Sequence, residues 1–228
     1  MDSQVSNSKE LRVFVLLMLT TVSGSGFCGV EDKFAHATII INYEIFGTSA
    51  FAPNLLGWSE LGTTGAGISV GSVNDPASGG GAAWNVADNS STLSPIYFHG
   101  LGANDQSQVG QEGWWLRVRA HYLTGYDSGV NRGLQVYFVG KAYKVLLDLD
   151  GRNDLRATLP GLASPLLLTQ DGTGVDAYHT FDLFADPQST MVTFRFDGRE
   201  LAQWNGVNST AGHPDVAFFR KIWENLGR

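Results

Sequence analysis

The chain has 228 residues, of which 43% are apolar and 16% charged, with 28 glycines and a formal net charge of −7 at pH 7. A chain of this length can bury a full core as one domain, and its low charge and abundant glycine favour short strands and many turns. No Lys/Arg cluster exceeds a pair, which argues against a nucleic-acid surface, and the lone Cys28 allows neither a disulfide framework nor a cysteine-based zinc site.

Residues 1–10 are polar, and Leu11 and Arg12 lead into an apolar run at 13–22 followed by small residues at 23–26. The run falls well short of the roughly 20 residues a membrane span needs. It fits the apolar core of a secretory signal, with Lys9 and Arg12 as a thin basic flank. Asp2 and Glu10 dilute that flank, no small-x-small cleavage site adjoins Cys28, and Ala35-His36-Ala37 lies far downstream. Residues 1–28 are therefore read as a signal-like leader and the product as secreted, with no transmembrane span; the alternative is an uncleaved leader or a mis-assigned start. Asn89 and Asn208 open Asn-x-Ser/Thr sequons, meaningful only in a eukaryotic secretory pathway.

From about residue 37, short strand-like pieces alternate with turn signals: 38–46, 68–70, 83–87, 96–99, 113–122, 133–139, 143–149, 155–159, 166–168, 178–185, 191–196, 201–204 and 216–219. So many short strands at near-regular spacing predict an all-β, two-sheet antiparallel sandwich over 37–219, followed by a short non-strand tail at 220–228. Asp150-Gly151 and Asp197-Gly198 each sit between two such pieces and supply the positive φ of a tight hairpin.

The clearest piece is 113–122. Trp114, Leu116, Val118, Ala120 and Tyr122 fall on one side, and Trp115, Arg117, Arg119 and His121 on the other. The same alternation turns Tyr137, Lys144, Asp148 and Arg156 outward in the pieces that follow, and Thr193 and Arg195 outward in 191–196. Because short connections join the pieces from 113 to 159, they are expected side by side, with Trp115, Arg117, Tyr137, Lys144, Asp148 and Arg156 on one polar face.

Tyr178-His179-Thr180-Phe181-Asp182-Leu183, Asp186-Pro187 and the hairpin ending in Asp197-Gly198 resemble the late strands of the concanavalin A-like lectin/glucanase superfamily, especially laminin-G-like jelly rolls. The stretch 81–91, followed by Gly113-Trp114-Trp115-Leu116-Arg117-Val118, is similar to the lectin-like module that accompanies some secreted sialidases. The resemblance implies a jelly roll over about 81–219 and a glycan-related role. It also implies a closing strand paired against the first, whereas 219–228 has helix-like apolar spacing, so the jelly roll is expected to lack that strand.

Glycosidases need two carboxyl groups facing one bond. The Glu-x-Asp-x-x-Glu spacing of the superfamily's glucanases is absent, as are the Ser-x-Asp-x-Gly-x-Thr-Trp boxes of sialidase propellers. Asp148-x-Asp150-Gly151 has the look of a calcium loop but lacks the remaining ligands, so no cofactor is expected, and Gly67-Ile68-Ser69-Val70-Gly71 matches a nucleophile elbow without a following helix. Sugar sites combine an aromatic platform with donors and acceptors, and Trp115, Arg117, Tyr137 and Arg156 are the candidate set. Against it stands a structural reading in which a loop covers Trp115 and the arginines pair with Asp148 or Asp182. The sequence thus predicts a secreted, non-catalytic, lectin-like module whose partner is a glycan or glycoconjugate. The alternatives are an accessory domain or fragment of a glycoside hydrolase such as a sialidase, and an adhesion module that binds protein.

Overall fold

The computed structural model describes residues 10–21, 38–41, 52–75, 81–88, 95–122, 131–187, 189–208 and 216–222. In chain order the strands are β1 (Glu10–Thr21), β2 (Thr38–Ile41), β3 (Ser59–Leu61), β4 (Ile68–Asp75), β5 (Gly81–Asp88), β6 (Ile96–Gly100), β7 (Trp114–Tyr122), β8 (Asn131–Phe138) and β9 (Lys141–Leu149). They continue as β10 (Leu155–Thr158), β11 (Leu166–Leu167), β12 (His179–Ala185), β13 (Met191–Phe196), β14 (Arg199–Asn205), β15 (Val207–Asn208) and β16 (Val216–Ile222). Among the described residues an α-helix, α1 (Ala103–Glu112), joins β6 to β7.

The strands form two open antiparallel sheets. The front sheet runs β14-β13-β12-β7-β1-β5-β4, with β2 also on β1; the back sheet runs β11-β10-β9-β8-β16-β6-β3, with β15 also on β9. Their facing sides supply the core. Leu116, Val118 and Tyr122 of β7, Phe181 and Leu183 of β12 and Phe194 of β13 meet Leu134 of β8, Leu147 of β9 and Leu155 of β10. The sheets are also joined by polar and aromatic contacts: Trp84 Nε1 on β5 donates to the Tyr97 hydroxyl on β6 at 3.0 Å, and the rings of Trp114 and Tyr143 lie 5.4 Å apart.

The alternation in 113–122 holds. Leu116, Val118, Ala120 and Tyr122 are buried in the core, while Arg117 and Arg119 are half-buried on the outer face. The expected continuous face does not form. β7 ends at Tyr122 in the front sheet and β8 opens at Asn131 in the back sheet, so Trp115 and Arg117 lie on one outer surface and Tyr137 and Arg156 on the other. Alternation tells inward from outward but is the same for two strands that pair and two that face each other across a core.

Three further departures concern elements. Glu10–Thr21, which carries the apolar run of the leader reading, is a strand paired with β5 and β7. The strand expected at 216–219 runs on to Ile222 between β6 and β8, so part of the stretch read as a non-strand tail completes the back sheet, and this last strand does not pair with the first. Helix α1 was not anticipated, because its sequence Ala-Asn-Asp-Gln-Ser-Gln-Val-Gly-Gln-Glu carries Val109 as its buried residue and no apolar stripe. Its ends are nonetheless specified: the Asp105 carboxylate accepts from the Gly102 N–H at 3.0 Å, and the Gly113 N–H reaches the Val109 carbonyl.

Gly113 is required where helix gives way to strand. Its φ is 80°, and a Cβ there would stand 2.5 Å from the Ala185 carbonyl oxygen of β12. Asp197 and Gly198 both have positive φ, 48° and 78°, and form the tight β13–β14 turn as expected. The Asp150-Gly151 turn differs: Asp150 N–H bonds the Asp154 carbonyl across a wider loop, and Asn153 takes the positive φ of 64°.

Candidate functional site

Trp115 is 8% exposed, so it offers no open platform. Its Nε1 donates to Asp182 Oδ1 at 2.9 Å, and the Arg117 guanidinium lies 4.2 Å over its ring. Arg117 also grips Asp182 in a fork, Nε to Oδ1 at 2.7 Å and Nη2 to Oδ2 at 3.2 Å. Asp182 is 1% exposed, and these donors occupy both its oxygens. Trp115 and Arg117 are thus consumed by a buried ion pair, as the structural reading held for Asp182.

Tyr137 and Arg156 sit on the opposite surface. The Tyr137 hydroxyl accepts from Gln135 Nε2 at 2.8 Å on its own strand, and Lys144 Nζ stands 5.9 Å from its ring. Arg156 pairs with Asp150 Oδ2. The Asp150 carboxyl is held below its usual range, chiefly by the backbone N–H groups of Arg152 and Asp154 and further by Arg156, and its burial opposes them. Its oxygens therefore serve the β9–β10 loop, whose far end is fixed by the Gly172 N–H on Asp154 Oδ1 at 2.8 Å. Among the described residues no group of His, Cys, Asp or Glu side chains converges as metal ligands. Ser69 lies within β4, exposed and followed by more strand, so no nucleophile elbow forms there.

The chemistry that does converge lies on the outer face of the front sheet. Register aligns Arg117 of β7, Asp182 of β12 and Arg195 of β13 in one row, with Trp115, Phe184 and Thr193 in the next. Three guanidinium groups lie against aromatic rings: Arg117 on Trp115, Arg119 on Tyr178 at 4.8 Å, and Arg195 on Phe184 at 5.0 Å. The His121 and Tyr178 rings are 5.0 Å apart, and His121 Nε2 is 2.9 Å from the Val175 carbonyl oxygen.

Toward the β4 edge, Asn85 of β5 is 8% exposed and its Oδ1 has no hydrogen-bond partner. Its cross-strand neighbours are Arg12 on β1 and, on the β4 side, Gly71, above which a Cβ would meet nothing within 4 Å. The Nε of Arg195 is likewise buried without a partner. An unpaired buried polar atom costs about 1–3 kcal/mol, so a ligand group that reached such an atom would gain by pairing with it.

Sequence reasoning had turned Arg119, His121 and Arg195 outward but left them and Asn85 out of the candidate set. The alternation in β13 placed Arg195; nothing in the sequence showed that Asp182 would engage Arg117 and not Arg195. At the end of the same sheet, His179 Nδ1 contacts Asp197 Oδ2 at 2.8 Å while Asp197 Oδ1 accepts from the Thr180 N–H at 2.7 Å. This arrangement fastens the β13–β14 turn onto β12.

No family model matches the chain. Over 96 residues it is 25% identical to the sialidases of two strains of Vibrio cholerae serotype O1, a stretch that covers 42% of this chain and 12% of theirs. Among solved structures it is similar to a Bacillus licheniformis beta-glucanase at a TM-score of 0.37 and 12% identity, over 98% of this chain and 88% of that one. It is also similar to the kappa-carrageenase of Pseudoalteromonas carrageenovora at a TM-score of 0.35 and 10% identity, over 99% and 87% of the two chains. The sialidase match agrees with the resemblance to the lectin-like module that accompanies some secreted sialidases. Among the described residues no helix is long and apolar enough to cross a membrane.

Proposed function

We propose that the chain is a secreted, non-catalytic carbohydrate-binding module that holds a glycan on the outer face of its front sheet. The observation that carries this reading is the pair of guanidinium–aromatic contacts left on that face, Arg119 on Tyr178 and Arg195 on Phe184, beside the unpaired atoms of Asn85 and Arg195. Hydroxyl-rich ligands need such a mixture: flat apolar surfaces for C–H faces, and fixed donors and acceptors for the rims. The match to sialidases supports the glycan class. A second reading, an accessory piece of a larger glycosidase, rests on that same match.

The test is a glycan array with the full chain and with Asn85→Ala. Wild-type binding that weakens in the variant, at an unchanged melting temperature, is the expected result. A wild type that binds no glycan overturns the reading, and turnover of a fluorogenic sialoside by the purified chain removes its non-catalytic part. Recovery of one protein partner irrespective of that partner's glycans would favour an adhesion role.

A further inference from the structure

Of the outer-face arginines with stacked rings, Arg117 is already neutralised, because Asp182 takes its fork. Arg195 is different. It faces Asp182 directly across the β12–β13 pairing, yet the Asp182 oxygens are engaged by Trp115 and Arg117. Its neighbour on the other side, Glu200, is exposed and accepts instead from Gln203 Nε2 at 3.0 Å. Among the described residues Arg195 therefore makes no hydrogen bond and no ion pair, and its Nε is buried. What holds it is the Phe184 ring, 5.0 Å from the guanidinium carbon.

We infer that Arg195 anchors an anionic group of the ligand, a sugar carboxylate or sulfate ester, on the outer face of the front sheet. This rests on the glycan-binding reading of that face. A planar guanidinium presents its N–H groups in a fork that matches two oxygens of such a group. The Phe184 ring lies within cation–π reach of the guanidinium before the ligand arrives, so less freedom is lost on binding. Asp182 acts as a positioning residue: by taking Arg117 it leaves Arg195 as the unpaired cation of its row.

The experiment titrates the full chain with lactose, sialyllactose and 3′-sulfolactose, at low and at moderate salt. One acidic probe should bind about ten- to a hundredfold more tightly than lactose, the weight of a charge-assisted hydrogen-bonded pair, and lose that advantage as salt rises. The sialylated and sulfated arms show which anion fits. Arg195→Gln should bring the acidic probe down to the level at which the same variant binds lactose. Arg195→Lys, which keeps the charge and loses the fork, should recover only a small part.

Lactose and both acidic probes bound equally by the wild type would overturn the inference and leave the glycan reading standing. So would an acidic preference that survives Arg195→Gln. No binding of any probe, with an array also blank, overturns both. Where Arg195→Gln is too unstable to assay, Arg195→Lys carries the assignment, and a wild type without an acidic preference at low salt overturns the inference without either variant.

Discussion

Tyr97 shows how one residue ties the sheets together and makes the sandwich sensitive to alkali. It is buried on β6, and its hydroxyl accepts the Trp84 N–H across the core. Burial pushes its pKa up to about 12; Glu60 adds to the rise and the Trp84 hydrogen bond opposes it. Below pH about 10 both folded and unfolded chains keep this proton, so Tyr97 gives stability no pH dependence there. Between pH 10 and about 12 the unfolded chain releases it while the folded chain retains it, and stability falls by up to about 1.4 kcal/mol per pH unit. Urea midpoints should therefore decline above pH 10 in the wild type and less steeply in Tyr97→Phe. At pH 7 the same variant should lose about 1–3 kcal/mol, because the Trp84 N–H is left without its acceptor. Tyr143, whose pKa burial also raises, accounts for some of the remaining slope. Parallel alkaline declines in the two proteins would assign the effect elsewhere.

At the scale of elements, the sequence specified which residues alternate and where most strands lie, because period 2 is a local property of the chain. β7, β9 and β13 were legible in this way. Sheet membership was not, since it depends on which strands find each other across long separations; β7 pairs with β12 and β1, and β8 with β16 and β9. The ion pair of Arg117 with Asp182 was legible only as one of two options for the same reason. β1 is the sharpest case. A continuous apolar run suits an export signal, and it equally suits a strand placed between two others in the middle of a sheet. β1 stands between β5 and β7, so a chain lacking residues 1–28 would separate β5 and β4 from the rest of the front sheet. We expect a protein comprising residues 29–228 to lose its cooperative melt and expose apolar surface, measured by circular dichroism and dye binding beside the full chain. N-terminal sequencing of the exported protein is the companion measurement. An intact sandwich beginning after residue 28 would support the leader reading.

At the scale of the whole molecule, the two outer surfaces are separated by the full core and carry different chemistry. The front surface has stacked guanidinium groups with unpaired atoms beside them. On the back surface Tyr137 accepts from Gln135, whose own Oε1 is buried without a partner, and Arg156 is spent on a loop carboxylate. Groups this far apart that share no partner act independently, so changes on one surface should not alter affinity on the other. Arg156→Gln removes the loop contact to Asp150, whose main donors, the Arg152 and Asp154 N–H groups, stay in place. The expected outcome is a small loss of stability with glycan affinity unchanged, and additivity when Arg156→Gln is combined with Asn85→Ala, read by titration with a glycan found on the array. Should Arg156→Gln abolish binding while the fold is kept, the ligand belongs on the back sheet, and the unpaired atoms of Asn85 and Arg195 would need another explanation.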